Sequence, residues 1–180
     1  MKKIFINHYS LFIILALCAV SCQRNSPSSY KGMPKEYTLA YEEIYGHCYD
    51  SVPYAVVALD LYSDSITLDE NHKIKGSGYN LYLSDIFVPD SLLEEGTYKS
   101  DTTAQPFTFL PGRDYEGLPH GLYLLKIEED HIASIQVLDS GSFVYRNDSL
   151  LFTLYYRNSY GSRARYTCSF QGPLIPWQKQ

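Results

Sequence analysis

From residue 37 onward, apolar positions recur with a period of two. Tyr37, Leu39 and Tyr41 form one such set, Ala55, Val57, Leu59 and Leu61 a second, and Tyr79, Leu81 and Leu83 a third. A period of two places each set on one face of a strand. The second half is cleaner. Tyr123, Leu125 and Ile127 face one way, Glu129-Asp130 marks a turn, and a return strand runs through Ile132 to Leu138. After Asp139-Ser140-Gly141 come Phe143 and Tyr145, an Asn147-Asp148 turn, then Leu150, Phe152, Leu154 and Tyr156. Asn158 to Gly161 turns again into Tyr166, Cys168 and Phe170. These segments predict four or five consecutive strands in an antiparallel meander. In its last hairpin Leu150, Phe152, Leu154 and Tyr156 should share a buried face with Tyr166, Cys168 and Phe170, leaving Thr153, Arg157, Thr167 and Ser169 on the other. No amphipathic helix of useful length interrupts the pattern. Turn signals roughly every eight to twelve residues are the spacing of sandwiches and barrels. The fold class is therefore all-β: a single antiparallel β-barrel or β-sandwich of about eight to ten strands, occupying residues 36–180. Leu151 and Tyr155, opposite the Leu150 set, suggest that the sheet closes, is covered, or has a greasy outer surface.

The first residues follow a different rule. Lys2 and Lys3 precede the apolar run Leu11 to Val20, which is too short to span a bilayer of about 30 Å as a helix. It reads as the h-region of a secretory signal over residues 1–21. The run ends in Ala19-Val20-Ser21-Cys22, which resembles the lipobox that bacterial signal peptidase II cleaves once the Cys is diacylated. The resemblance makes Cys22 the lipid anchor. Ala19 stands where a lipobox usually has Leu, and the same small residues also suit signal peptidase I and plain secretion. Residues 22–35, opening Gln23-Arg24-Asn25-Ser26-Pro27-Ser28-Ser29, are polar and aperiodic, a disordered tether expected to pack against nothing.

Composition narrows the partners. Fifteen Lys and Arg oppose twenty Asp and Glu for a net charge of −5. Losing residues 1–21, with two Lys and no acid, takes it to −7. No basic run or stripe is present, so the footprint of a nucleic-acid binder is missing. An acidic chain is held at a membrane through its anchor alone. Eighteen Tyr, one residue in ten, favour strands and also suit sugar stacking and protein contacts. Of four Cys, Cys18 leaves with the signal and Cys22 is acylated, which leaves Cys48 and Cys168 in a disulfide-permissive compartment. They either form a bridge or remain small buried hydrophobes.

The order of several short motifs adds a family. Gly76-Ser77-Gly78-Tyr79-Asn80-Leu81-Tyr82-Leu83, Leu93-Glu94-Glu95-Gly96-Thr97-Tyr98, Gly141-Ser142-Phe143-Val144 and Phe170-Gln171-Gly172-Pro173-Leu174 resemble the pattern of a family of Bacteroidetes exported lipoproteins. That resemblance implies a lipocalin-like or sandwich β-fold in the cell envelope, at the outer membrane on its periplasmic face or the cell surface. It implies no catalytic residue and no settled ligand. Six of eleven Asp are followed by Ser or Thr. Five of these pairs resemble the acceptor of Bacteroidetes periplasmic O-glycosylation, marking Ser51, Ser65, Ser91, Thr102 and Ser149. The same pairs make Asx and ST turns between strands, and the two readings are compatible because glycans sit on exposed turns.

Catalytic signatures are missing. No nucleophile elbow, phosphate loop, H-E-x-x-H or dinucleotide fingerprint occurs. Asp69-Glu70 and Glu128-Glu129 are carboxylate pairs of a kind that glycosidases use, but they sit at turn signals and read as solvated surface. His72 and His120 are isolated, His47 beside Cys48 lacks ligand spacing, and Asp60 to Asn71 lacks the spacing of a calcium loop. No cofactor or metal is expected. Three functions from different classes follow. The first is a noncatalytic envelope lipoprotein whose β-scaffold presents a surface to a glycan or an envelope protein. The second is a structural or assembly subunit pairing through a strand edge. The third is an envelope hydrolase, which would need convergent carboxylates or a His-based nucleophile.

Overall fold

In the computed structural model, which describes residues 32–116 and 118–178, the described residues form sixteen strands and no helix. The first group is β1 (Glu36–Tyr37), β2 (Leu39–Gly46), β3 (Ala55–Tyr62), the small hairpin β4 (Ile66–Leu68) and β5 (Ile74–Gly76), and the long β6 (Gly78–Val88). Next come β7 (Gly96–Ser100), β8 (Thr108–Phe109), β9 (Arg113–Tyr115) and β10 (Leu118–His120). The last group is β11 (Leu122–Glu128), β12 (His131–Val137), β13 (Ser140–Arg146), β14 (Ser149–Arg157), β15 (Arg163–Gln171) and β16 (Ile175–Gln178). Twelve of them build one curled, mixed sheet. β1 and β8 are two residues long and leave no periodic signal, so the sequence suggests fewer strands.

Pairing is not wholly antiparallel as expected. Parallel ladders join β1 to β15, β16 to β2 and β7 to β8. Two of them act together. β1 and β2 are one strand interrupted at Thr38, whose N–H turns to the Tyr62 carbonyl at 3.0 Å. β15 and β16 are likewise separated only by residues 172–174. The first strand pair therefore runs alongside the last. The switch at Thr38 also corrects the first periodic set. Tyr37 lies in register with buried Phe170, whereas Leu39 and Tyr41 pack on the opposite face with Tyr62.

β6 forks the sheet. Residues 78–83 pair with β11, and Ile86 and Phe87 pair with β8. At the fork a bulge puts an extra residue opposite the Val57–Leu59 segment of β3, and Asp85 adopts φ 52°. A bulge shifts which face later residues present. Here it returns Ile86 to the face of Leu83, and both are fully buried. Gly112 fills the crotch, donating to the Leu138 carbonyl at 2.9 Å. Any Cβ there would sit 2.0 Å from the Leu122 oxygen and 2.4 Å from that of Leu138.

The predicted meander is present in two pieces. β11 and β12 form a hairpin through Glu129 and Asp130, both at positive φ, and β13, β14 and β15 are successive antiparallel neighbours. Between them the expectation fails, because β13 pairs with β7 rather than with β12. The Asp139 N–H bonds the Tyr155 carbonyl, which carries the chain across to the other arm of the fork. The last hairpin has the expected register: Leu150 opposes Phe170, Phe152 opposes Cys168, and Leu154 opposes Tyr166, all six buried. Tyr98, Phe143 and Phe152 continue this face as a row of rings with centroids 4.6 and 5.4 Å apart. Such pairs add about 0.5–1.5 kcal/mol each beyond the area they bury.

The inner face thus carries Leu59, Leu61, Leu81, Leu83, Leu122 and Leu124 together with that aromatic row. β3 is buried on both faces, because the β4–β5 hairpin lays Ile66, Leu68 and Ile74 over Tyr62, Leu125 and Ile127 on the outside. The ordered unit begins slightly before residue 36. The Pro34 carbonyl accepts from the Tyr166 hydroxyl at 2.7 Å and the Lys35 carbonyl from the Ser169 N–H at 2.9 Å, so the last two residues of the expected tether are pinned to β15.

Candidate functional site

The outer face of β2, β3, β6 and β11 holds a cluster that the core does not need. Registers 41↔60, 60↔82 and 82↔123 line up Tyr41, Asp60, Tyr82 and Tyr123 across four strands. Side chains opposite one another in a ladder share a face. Glu43 and Tyr45 stand two and four residues beyond Tyr41, and Asn80 two before Tyr82, so all belong to this face. Trp177 joins from β16, in register with Glu43.

Carboxylates organise the rings. Glu43 Oε2 accepts from the Tyr45 hydroxyl at 2.5 Å and from the Tyr82 hydroxyl at 3.1 Å. Asp60 accepts from the Tyr62 hydroxyl at one oxygen and from the Asn80 amide at the other, each at 2.5 Å. Asn80 also donates to the Leu61 carbonyl. Glu43, Asp60 and Asn80 are all buried, and the described salt bridges include none of them. Burying a charge without a cation is costly unless hydrogen bonds compensate. Burial accordingly pushes Asp60 up to about 6, the Glu43 charge pushes the same way, and the Tyr62 and Asn80 bonds hold it down. Burial raises Tyr45 and Tyr123 to about 12, and raises Tyr62 and Tyr82 as well. The Tyr45, Tyr62 and Tyr82 hydroxyls thus stay protonated at neutral pH, each a donor held on a carboxylate.

Two aromatic groups result. Tyr82 and Tyr123 stack at 5.1 Å, with Tyr45, 36% exposed, beside them. Trp177 stacks on His72 at 4.7 Å, and both meet Tyr41 edge-on at 6.3 and 6.1 Å. His72, which the sequence offers only as a loop residue, takes φ 57° at the tip of the β4–β5 hairpin and lays its ring on Trp177. The arrangement supplies flat rings and oriented polar groups. The carboxylate oxygens of Asp60 are both occupied, as is one of Glu43.

A comparison with known protein families, curated proteins and solved structures finds no match. The site is therefore read from its own chemistry.

The residues singled out in the sequence lie elsewhere. Cys22 and the signal fall outside the described residues. Cys48 is exposed in the loop after β2 and Cys168 is buried on β15 beside Phe152; both are free thiols rather than a bridge. Ser51, Ser65, Ser91 and Thr102 are exposed in turns and bends, and Ser149 is half-buried as the first residue of β14. Turn chemistry is visible at Asp101, whose carboxylate accepts the Thr103 N–H at 2.8 Å. Asp69 ties the β4–β5 turn through the Asn71 and Lys73 N–H groups, and Glu128 pairs with Lys126. His120 is exposed on β10, a short strand rather than a loop. Among the described residues no group of three or more His, Cys, Asp or Glu is placed to hold a metal.

Glu43, Asp60 and Asn80 are the members the sequence reading passed over. Asp60 had a signal: it is the one charged residue in the apolar run Ala55–Tyr62.

Proposed function

We propose that the chain is a noncatalytic cell-envelope lipoprotein, anchored through Cys22, whose outer sheet face binds a ligand on the Tyr82, Tyr123 and Tyr45 rings. The observation carrying this reading is that rings from four strands share one face, where buried Glu43 holds the Tyr45 and Tyr82 hydroxyls and Tyr123 stacks on Tyr82. Oriented rings with few rotamers give contact area at low entropic cost, which suits glycan stacking and protein contacts alike. The noncatalytic part rests on the occupancy of both Asp60 oxygens and of Glu43 Oε2 by tyrosine and asparagine donors. The envelope assignment rests on residues 1–22 and on the resemblance to exported lipoproteins. The finer architecture we favour is barrel-like, since β1 pairs with β15 and β2 with β16.

Trp177, the sole Trp, lies at the edge of this face and reports on it. Titration with envelope glycan fragments should shift its fluorescence, and Tyr82→Ala should abolish the shift while the melting temperature moves by only a few degrees. A flat response to every fragment overturns the ligand reading. Metabolic labelling with a palmitate analogue tests the anchor: wild type should label and Cys22→Ala should not.

A second reading, an assembly subunit, is favoured by one observation. Among the described residues β12 pairs with β11 alone, so no strand lies along its other edge.

A further inference from the structure

Most strand edges in the sheet are stitched. β1 pairs with β15 and β2 with β16, β6 is shared between β11 and β8, and the remaining edge of β16 is four residues long and contains Pro176. β12 is different. It has no Pro, Lys, Arg, Asp or Glu, and it exposes Ile132 at 56% and Ile135 at 44%. Proteins ordinarily protect an edge with charge, Pro, a bulge or a cover. Here the protection is a bulge at Ala133, where the register to β11 shifts, and the Gln136 side-chain amide, which donates to the Val137 carbonyl at 2.7 Å; the backbone of residues 134–138 stays regular.

The direction of the free backbone groups follows from the ladder. Leu138 donates to the Leu122 carbonyl, and hydrogen-bonded and non-hydrogen-bonded positions alternate along an antiparallel strand. Leu138, Gln136 and Ser134 therefore turn their backbone groups toward β11, and Val137 and Ile135 turn theirs outward. Both outward residues are apolar and stand on the same outer face, in register with Tyr123 and Leu125.

We propose that β12 pairs antiparallel with the β12 of a second copy of this chain, about a two-fold axis at Gln136. This rests on the assembly reading above. In that register Ile135 meets the partner's Val137 and Val137 meets the partner's Ile135, each pair exchanging both backbone bonds as the Ile135 N–H of one copy replaces the Gln136 amide on the Val137 carbonyl of the other. Gln136 faces its own copy at the axis. The segment is self-complementary: within residues 134–138 the two residues with outward backbone groups carry apolar side chains that match each other across the two-fold. It also lacks acid in a chain that is acidic elsewhere, so this edge is where two copies approach with least repulsion. Pairing covers the exposed Ile135, and it brings the Tyr82–Tyr123 platforms of the two copies next to each other, because Tyr123 is the in-register neighbour of Val137.

The test is cross-linking of the full chain in intact cells. A non-hydrogen-bonded antiparallel pair has its Cα atoms about 4.5 Å apart, within disulfide reach. In a Cys48→Ser background, Gln136→Cys should give an oxidised band at twice the chain mass, whereas Ser134→Cys, which faces Leu138 of the other copy, should give at least tenfold less. Adding Ile135→Pro removes an outward N–H and no bond to β11, and should abolish the Gln136→Cys band. Ile135→Lys should do the same, with an unchanged melt showing that the fold is intact. No band from Gln136→Cys, or equal bands from both cysteine positions, overturns the proposal. A band of another mass that is lost in Ile135→Pro also overturns self-pairing, while leaving the assembly reading standing.

Discussion

Asn80 holds Asp60 from the neighbouring strand: its amide donates 2.5 Å to the carboxylate and also to the Leu61 carbonyl. The acid is thereby kept inside a sheet face where, among the described residues, no salt bridge reaches it, and the consequence is measurable. Its folded pKa of about 6 lies above the ordinary 3.8. The folded state holds the proton more tightly, so the contribution of Asp60 to stability is full below pH 4 and is lost as pH rises through 6. The difference amounts to ~3 kcal/mol. Asp60→Asn removes it. Urea denaturation at pH 4 and pH 7.5 should show wild type losing stability relative to the variant by up to that amount, and parallel curves would show that Asp60 does not titrate in the fold.

Core truncation in the last hairpin should separate its two faces. Phe152 is 2% exposed and packs its ring against Phe143, whereas Thr167, one position from its partner Cys168, is exposed. Phe152→Ala should cost about 3–5 kcal/mol, and Thr167→Ala less than about 0.5 kcal/mol. Chemical denaturation giving the reverse order would mean the strand is out of register by one.

Two glycines should respond differently to the same change. Gly112→Ala drives a methyl group into two backbone carbonyls, and it should cost more than about 3 kcal/mol or prevent folding. At Gly161 nothing lies within 4 Å and φ is +74°, so Gly161→Ala should cost about 1–2 kcal/mol from left-handed strain alone. Thermal melts of the two variants decide it.

The two thiols should differ in reactivity. Burial pushes Cys168 up to about 12, which keeps it a thiol at neutral pH. Iodoacetamide should label Cys48 in the native protein and Cys168 only after denaturation, as mass spectrometry of peptides would show.

Legibility in the sequence followed sequence distance. The β14–β15 face could be read because both strands alternate cleanly and are bounded by turn residues, Asn147 and Asp148 taking φ of 50° and 54°. The switch at Thr38 could not, since it depends on β15 and β3, which lie far away in the chain. The β4–β5 hairpin was missed because three-residue strands carry no period. Its absence from the reading hid the cover over Tyr62 and made the adjacent Asp60 look like the start of an acidic turn. For the site, Tyr enrichment was visible, but alternation alone does not say that Tyr123 and Leu125 face outward. That assignment comes from the bulge and fork of β6, which set which side of each strand faces the core.

The parallel ladders at the two ends of the sheet impose an order of events on the chain as it is made. Residues 36 and 37 find their partners only at 169 and 170, and residues 41–44 only at 175–178. Hairpins such as β14–β15 close small loops quickly, whereas contacts so distant in sequence carry the largest loop-closure entropy and come late. A nascent chain that has not yet delivered residues 169–178 holds β1 unpaired and β2 paired only with β3. Completion of the fold therefore waits for residues 169–178, and truncating the chain before Phe170 would leave the beginning of the domain without its partners.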